Sequence, residues 1–172
     1  MRRSYFLANS AIEYSAYTEG DQEVDMVQLL EDCLQLVETK LKLKQVKVNK
    51  GTLENMYGNK SEVCQIVLSL FVTFTEMLED YPGPFEISIG SNKVGADIRY
   101  AITLKVDKAD PPLTYLEPNW QGSSDYGDVK VRLFSCSQLT RQNKGQFNID
   151  FKETTVSFEL LFPRQEFLKK AS

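Results

Sequence analysis

The side chains that could do chemistry in this sequence are bounded first by an absence, since none of the 172 residues is a histidine. A His general base, a Ser-His-Asp or Cys-His nucleophile system, a His metal ligand and a phosphoacceptor His are all excluded within this chain. Cys33, Cys64 and Cys136 are odd in number, far apart in sequence and each set among apolar residues. That pattern predicts buried free thiols in a reducing compartment rather than disulfides or metal ligands. Lysines cluster once, at Lys40, Lys42, Lys44, Lys47 and Lys50. The run can be read as an anion site or as cations complementing the dipole at a helix end, and the helical pattern that stops there favours the second. A net charge of −4 argues against a nucleic-acid partner, because phosphate binding needs concentrated positive charge.

Aromatic residues supply the remaining candidates. Tyr115, Trp120 and Tyr126 lie in an irregular stretch, residues 108–127, broken by Pro111, Pro112, Pro118, Gly122 and Gly127. A loop of that length in a compact domain is usually functional or mobile, and exposed aromatics often anchor protein interfaces. Trp120 is read either as such an anchor or as a plug folded back into the domain. Tyr5, Phe6, Ile12 and Tyr14 belong to a short helical pattern over residues 4–18. They would pair across two copies in a dimer or pack that helix on its own domain.

The elements that must position these groups follow from periodicity. Asp25 is placed to cap a helix through about Lys42, with Met26, Leu29, Leu30, Cys33, Leu36, Val37 and Leu41 at helical spacing. Residues 45–49 alternate as a short strand. After a turn at Gly58 and Asn59, residues 61–79 form the clearest helix, with an apolar face wide enough to lie on a sheet. Phe85, Ile87 and Ile89 alternate, as do Ile98 through Val106, with residues 90–97 read as a hairpin-like connection. Asp128 is placed to cap a helix to about Gln142, and Gly145 opens a last hairpin that Pro163 ends. The length allows one well-buried core, and the element order predicts an α/β (α+β) two-layer sandwich with helices on one face of a mixed, mostly antiparallel sheet. No apolar run is long enough to span a membrane and no signal-peptide pattern is present, so the expected compartment is the cytoplasm.

This order, with its long loop just before the last helix, resembles the ATP-binding domain of histidine kinases, in the superfamily they share with gyrase and MutL. The local matches are 25–31 for the opening helix, 58–68 for the entry to the central helix, 143–149 for a glycine turn and 155–163 for the closing strand. Residues 11–20 look like the end of a dimerisation and phosphotransfer hairpin. The resemblance thus implies a hairpin remnant at 1–20, a histidine kinase-like domain at 25–166 and a tail at 167–172.

The resemblance also locates where a nucleotide would bind, and there the sequence departs from the family. Two Asn residues four apart, which in the family hold Mg²⁺ and phosphates, are matched by Ser69 and Thr73. The Asp-x-Gly-x-Gly turn that reads adenine is matched by the segment 107–111, where Asp107 or, by strand alternation, Lys108 takes the aspartate position and Asp110 stands in a turn without glycine. The glycine-rich run that opens the last helix is matched by 128–133, with Lys130 and Arg132 and an acidic Asp128 where phosphate would sit. The expectation is a pseudo-histidine-kinase-like signalling domain that holds no ATP, Mg²⁺ or other metal and binds a protein. That partner would be a response-regulator receiver or another kinase in a two-component-type pathway. The alternative is a divergent ATP-binding catalytic domain, with Lys130 and Arg132 on phosphates, Asp107 on adenine and the phosphoacceptor His supplied elsewhere.

Overall fold

The computed structural model describes residues 20–79, 84–106, 127–152 and 154–168. Tyr5, Phe6, Ile12, Tyr14, Asp107, Asp110, Tyr115, Trp120 and Tyr126 lie outside the described residues.

The chain enters through β1 (Gln22–Val24) and passes directly into α1 (Met26–Leu43). Asp25 starts this helix as expected: its carboxylate accepts the Gln28 N–H at 3.1 Å, satisfying one of the donors a helix N-terminus leaves open. α1 buries Met26, Leu29, Leu30, Cys33, Leu34, Val37 and Leu41 and leaves Leu36 half exposed. Lys40 and Lys42 fall in its last turn, Lys42 pairs with Glu38 and Lys50 with Glu31, and Lys44 donates to the Glu79 carbonyl. The cluster thus divides between the helix end (Lys40, Lys42 and Lys44) and β2 (Val46–Lys50; Lys47 and Lys50), with carboxylates beside Lys42 and Lys50 and a carbonyl beside Lys44.

After β2 (Val46–Lys50) and β3 (Met56–Gly58), α2 (Lys60–Met77) runs through the middle of the helical layer. Asn59 caps it by accepting the Glu62 N–H at 3.1 Å. From Ile66 to Thr75, α2 buries every residue except the half-buried Ser69. That burial on nearly all sides is the mark of a helix surrounded by other elements. Its sheet-facing side carries Phe74, stacked on Phe158 with ring centroids 4.6 Å apart.

The main sheet has the order β2-β4-β5-β7-β6, formed with β4 (Phe85–Val94), β5 (Asp97–Val106), β6 (Gln146–Lys152) and β7 (Thr155–Pro163). β2 and β4 are parallel and the other pairs antiparallel. Phe85, Ile87, Ile89, Ile98, Tyr100, Ile102, Leu104, Phe158, Leu160 and Phe162 are buried, while Glu86, Arg99 and Glu159 between them are not. One face therefore carries the core and the helices α1, α2 and α3 (Gly127–Gln142), which is the expected two-layer sandwich. Burying each large apolar side chain here contributes roughly 1.5–3 kcal/mol.

Three local expectations need correction. The connection read over 90–97 is mostly strand: pairing continues from Ser91↔Tyr100 to Val94↔Asp97, leaving a tight turn in which Gly95 has φ +59°. Gly58 ends a strand rather than forming a turn, and β3 pairs with β1 in a separate two-stranded sheet. α3 begins at Gly127, so Asp128 lies inside its first turn and does not cap it. β7 ends at Pro163 as expected, and a short helix that the sequence did not suggest, α4 (Gln165–Leu168), follows it. No helix among the described residues is long and apolar enough to cross a membrane.

Candidate functional site

The candidate residues on α2 and α3 are brought together along one seam. The helices run antiparallel, so the start of α2 faces the end of α3 and the reverse. The polar side chains of α2 on this side, Glu62, Ser69, Thr73 and Glu76, recur at three-, four- and seven-residue intervals and so share a face. At one end of the seam, Asn143 Nδ2 donates to Glu62 Oε2 at 2.6 Å and its Oδ1 accepts the Asn59 N–H at 2.8 Å. Gly58 permits this approach, because a Cβ there would stand 2.7 Å from Asn143 Oδ1.

In the middle, the Cys136 thiol lies 3.8 Å from the Ile66 carbonyl. Burial pushes this thiol up to about 12, and the Ser69 hydrogen bond and Arg132 charge counteract only part of that rise. Thr73 is buried completely. Its hydroxyl donates to the Ser69 carbonyl at 2.8 Å, back along its own helix.

At the other end, Arg132 forms a two-pronged ion pair with Glu76. Nη1 donates to Oε2 at 2.7 Å and Nη2 to Oε1 at 3.0 Å, the paired geometry that suits guanidinium to carboxylate. The same Nη1 reaches Thr73 Oγ1 at 3.4 Å. The two charged side chains are only 15% and 25% exposed, so neither reaches freely into solvent. Arg132, Glu76 and Thr73 together form a closed clasp between the helices.

Of the residues expected at the nucleotide site, Ser69, Thr73 and Arg132 meet in this seam. Lys130 does not join the clasp; it is exposed in the first turns of α3. Sequence reasoning missed Glu76, although a carboxylate one turn beyond Thr73 on an otherwise apolar helix was a usable signal. It also missed Asn143, which had been read only as the start of a glycine turn. Among the described residues there is no group of three or more Cys, Asp or Glu side chains that could hold a metal ion, and no buried side-chain polar atom lacks a partner. The arrangement can hold two helices in register and bury a neutralised pair of charges. It offers no unpaired guanidinium to an anion, because both prongs of Arg132 are held by Glu76.

No family model matches the sequence, and no curated protein matches it. Solved structures do. A histidine kinase of Acinetobacter baumannii, AdeS, superposes with a TM-score of 0.65 over 91% of this chain and 73% of that one, at 13% identity. The catalytic domain of the histidine kinase ThkA, in a nucleotide-free form, gives 0.63 over 85% of this chain and 97% of that one, at 14% identity. ThkA in complex with the response regulator protein TrrA gives 0.62 over 95% of this chain and 48% of that one, at 16% identity. The fold of this chain is that of the histidine kinase ATP-binding domain.

Proposed function

We propose that this chain is a kinase-like signalling domain that has exchanged nucleotide binding for protein contact in a two-component-type pathway. The observation that carries the reading is the clasp: Arg132, the cation best placed to meet a phosphate, is bound on both prongs to Glu76. Opening the site to a nucleotide would require breaking that pair and leaving a carboxylate beside the incoming phosphates. Ser69 and Thr73 weaken the case for Mg²⁺ further, because Thr73 already spends its proton on the Ser69 carbonyl and neutral hydroxyls are poor substitutes for the oxygen ligands Mg²⁺ prefers.

The complex of ThkA with a response regulator makes a receiver domain the first partner to try. The chain has no histidine, so its part in such a pathway would be to bind, recruit or inhibit and not to carry the phosphoryl group on His. Calorimetric titration with Mg-ATP and with ADP tests the reading. The expected result is no heat and no thermal shift at millimolar nucleotide. Micromolar binding overturns it in favour of the divergent catalytic domain.

A further inference from the structure

On its opposite side α2 packs against α1, and there the fold brings together two cysteines that lie far apart in the sequence. The sulfur atoms of Cys33 and Cys64 are 3.7 Å apart, and both thiols are free. A disulfide bond is about 2.0 Å long. The remaining approach is under 2 Å, roughly 1 Å for each sulfur.

The two thiols are not equivalent. Cys33 is fully buried on α1, whereas Cys64 retains 8% exposure in the second turn of α2, one turn after Lys60. The hydrogen bond between them raises the Cys33 thiol and lowers that of Cys64. Burial opposes ionisation at both, Asp32 disfavours an anion at either sulfur, and Lys60 favours one at Cys64. The positive end of a helix also favours a thiolate. Cys64, the more exposed residue of the two, is therefore also the one whose thiolate its surroundings favour, with the Cys33 sulfur 3.7 Å away.

We propose that Cys33 and Cys64 are a modification site, a dithiol that a hydroperoxide converts reversibly to a disulfide, with Cys64 oxidised first and Cys33 resolving. The Cys64 thiolate attacks one peroxide oxygen, the O–O bond breaks, and the departing hydroxide takes up a proton to leave as water. Cys64 is then a sulfenic acid. The Cys33 sulfur attacks it, the S–O bond breaks and a second water leaves with the Cys33 proton. Two thiols and one hydroperoxide yield one disulfide and two waters when the oxidant is hydrogen peroxide. The bond ties α1 to α2 on the flank away from the Arg132–Glu76 clasp, and it is independent of whether nucleotide binds.

The test uses the full chain, reduced, desalted and treated with hydrogen peroxide under native conditions. Alkylation after denaturation is expected to count one free thiol in place of three, with an intact mass lower by two hydrogens. Peptide mapping should join Cys33 to Cys64, and dithiothreitol should restore all three thiols. With Cys33→Ala, dimedone should label Cys64; with Cys64→Ala, Cys33 should stay unlabelled. Retention of three thiols, a link to Cys136, a link between chains, or oxidation only in guanidinium would each overturn the proposal. The wild-type thiol count stands even if a variant fails to fold.

Discussion

The two flanks of α2 are built from different materials. Toward α1, Cys64 meets Cys33; Leu68 and Val72, one and two turns on from Cys64, share its face and are buried, as are Leu30, Leu34 and Val37 on the helix of Cys33. Toward α3 the ridge Glu62, Ser69, Thr73 and Glu76 is polar and is met by Asn143, Cys136 and Arg132. Apolar contact stabilises in proportion to the area it removes from water. A desolvated ion pair recovers little beyond the cost of taking its charges out of water, and apolar replacement of both partners is often neutral or better. A domain selected for stability alone would have made both flanks alike. We propose that the polar flank meets a requirement other than stability, since it gathers Ser69, Thr73 and Arg132, the residues that the resemblance matches to a nucleotide site.

Breaking the apolar flank should have the largest effect. Leu68 is 4% exposed, and Leu68→Ala should cost about 3 kcal/mol, the lost transfer free energy plus the cavity left behind. Urea denaturation monitored by circular dichroism would measure it. A cost below about 1 kcal/mol, well under the usual range for a buried Leu→Ala change, would mean that this seam is loosely packed and the contrast between flanks is false.

The polar flank should respond differently to one change than to two. Arg132→Ala strands Glu76 in the seam and should cost about 2 kcal/mol, below the 3–5 kcal/mol of a fully buried pair because both side chains keep some water. Replacing both, as Arg132→Met with Glu76→Leu, should bring stability back to within about 1 kcal/mol of the parent. Recovery on the same denaturation curve would show that the clasp is not there for stability. A double variant as unstable as the single one would place the clasp among ordinary structural contacts and remove this argument for a functional seam.

The contrast was only half legible in the sequence. α1 and α2 could be read because Asp25 and Asn59 precede long runs of apolar residues at helical spacing, and β5 because Ile98, Tyr100, Ile102, Leu104 and Val106 alternate without interruption. The outer arm of the β4–β5 hairpin could not: Ser91, Asn92 and Lys93 project where neither face is deeply buried, so alternation carries no signal. β1 and β3 are three residues each, too short for any period. Ser69, Thr73 and Arg132 could be nominated one element at a time, but their meeting depends on the antiparallel register of α2 and α3, which is a tertiary fact. The same holds for Cys33 and Cys64, whose separation in sequence suggested isolated thiols.

The smallest expected effect concerns Cys136, the one thiol on the polar flank. Its thiol is raised from the usual 9 to about 12, chiefly by burial. A group whose folded value lies above its unfolded value contributes its full stability below the unfolded value and loses it as pH rises toward the folded one. Between pH 9 and 12 the unfolded chain therefore gives up this proton while the folded chain keeps it, and the protein should weaken with rising pH. Cys136→Ala removes that linkage. The variant should start lower near pH 8, having lost a buried side chain, but its melting temperature should fall less steeply from pH 9 upward. Cys33 is raised in the same direction on the other flank, so the wild-type slope alone cannot apportion the effect; the difference in slope between the two proteins isolates Cys136. Parallel slopes would mean that water reaches the thiol as the seam opens at high pH, and that the polar flank is the looser of the two.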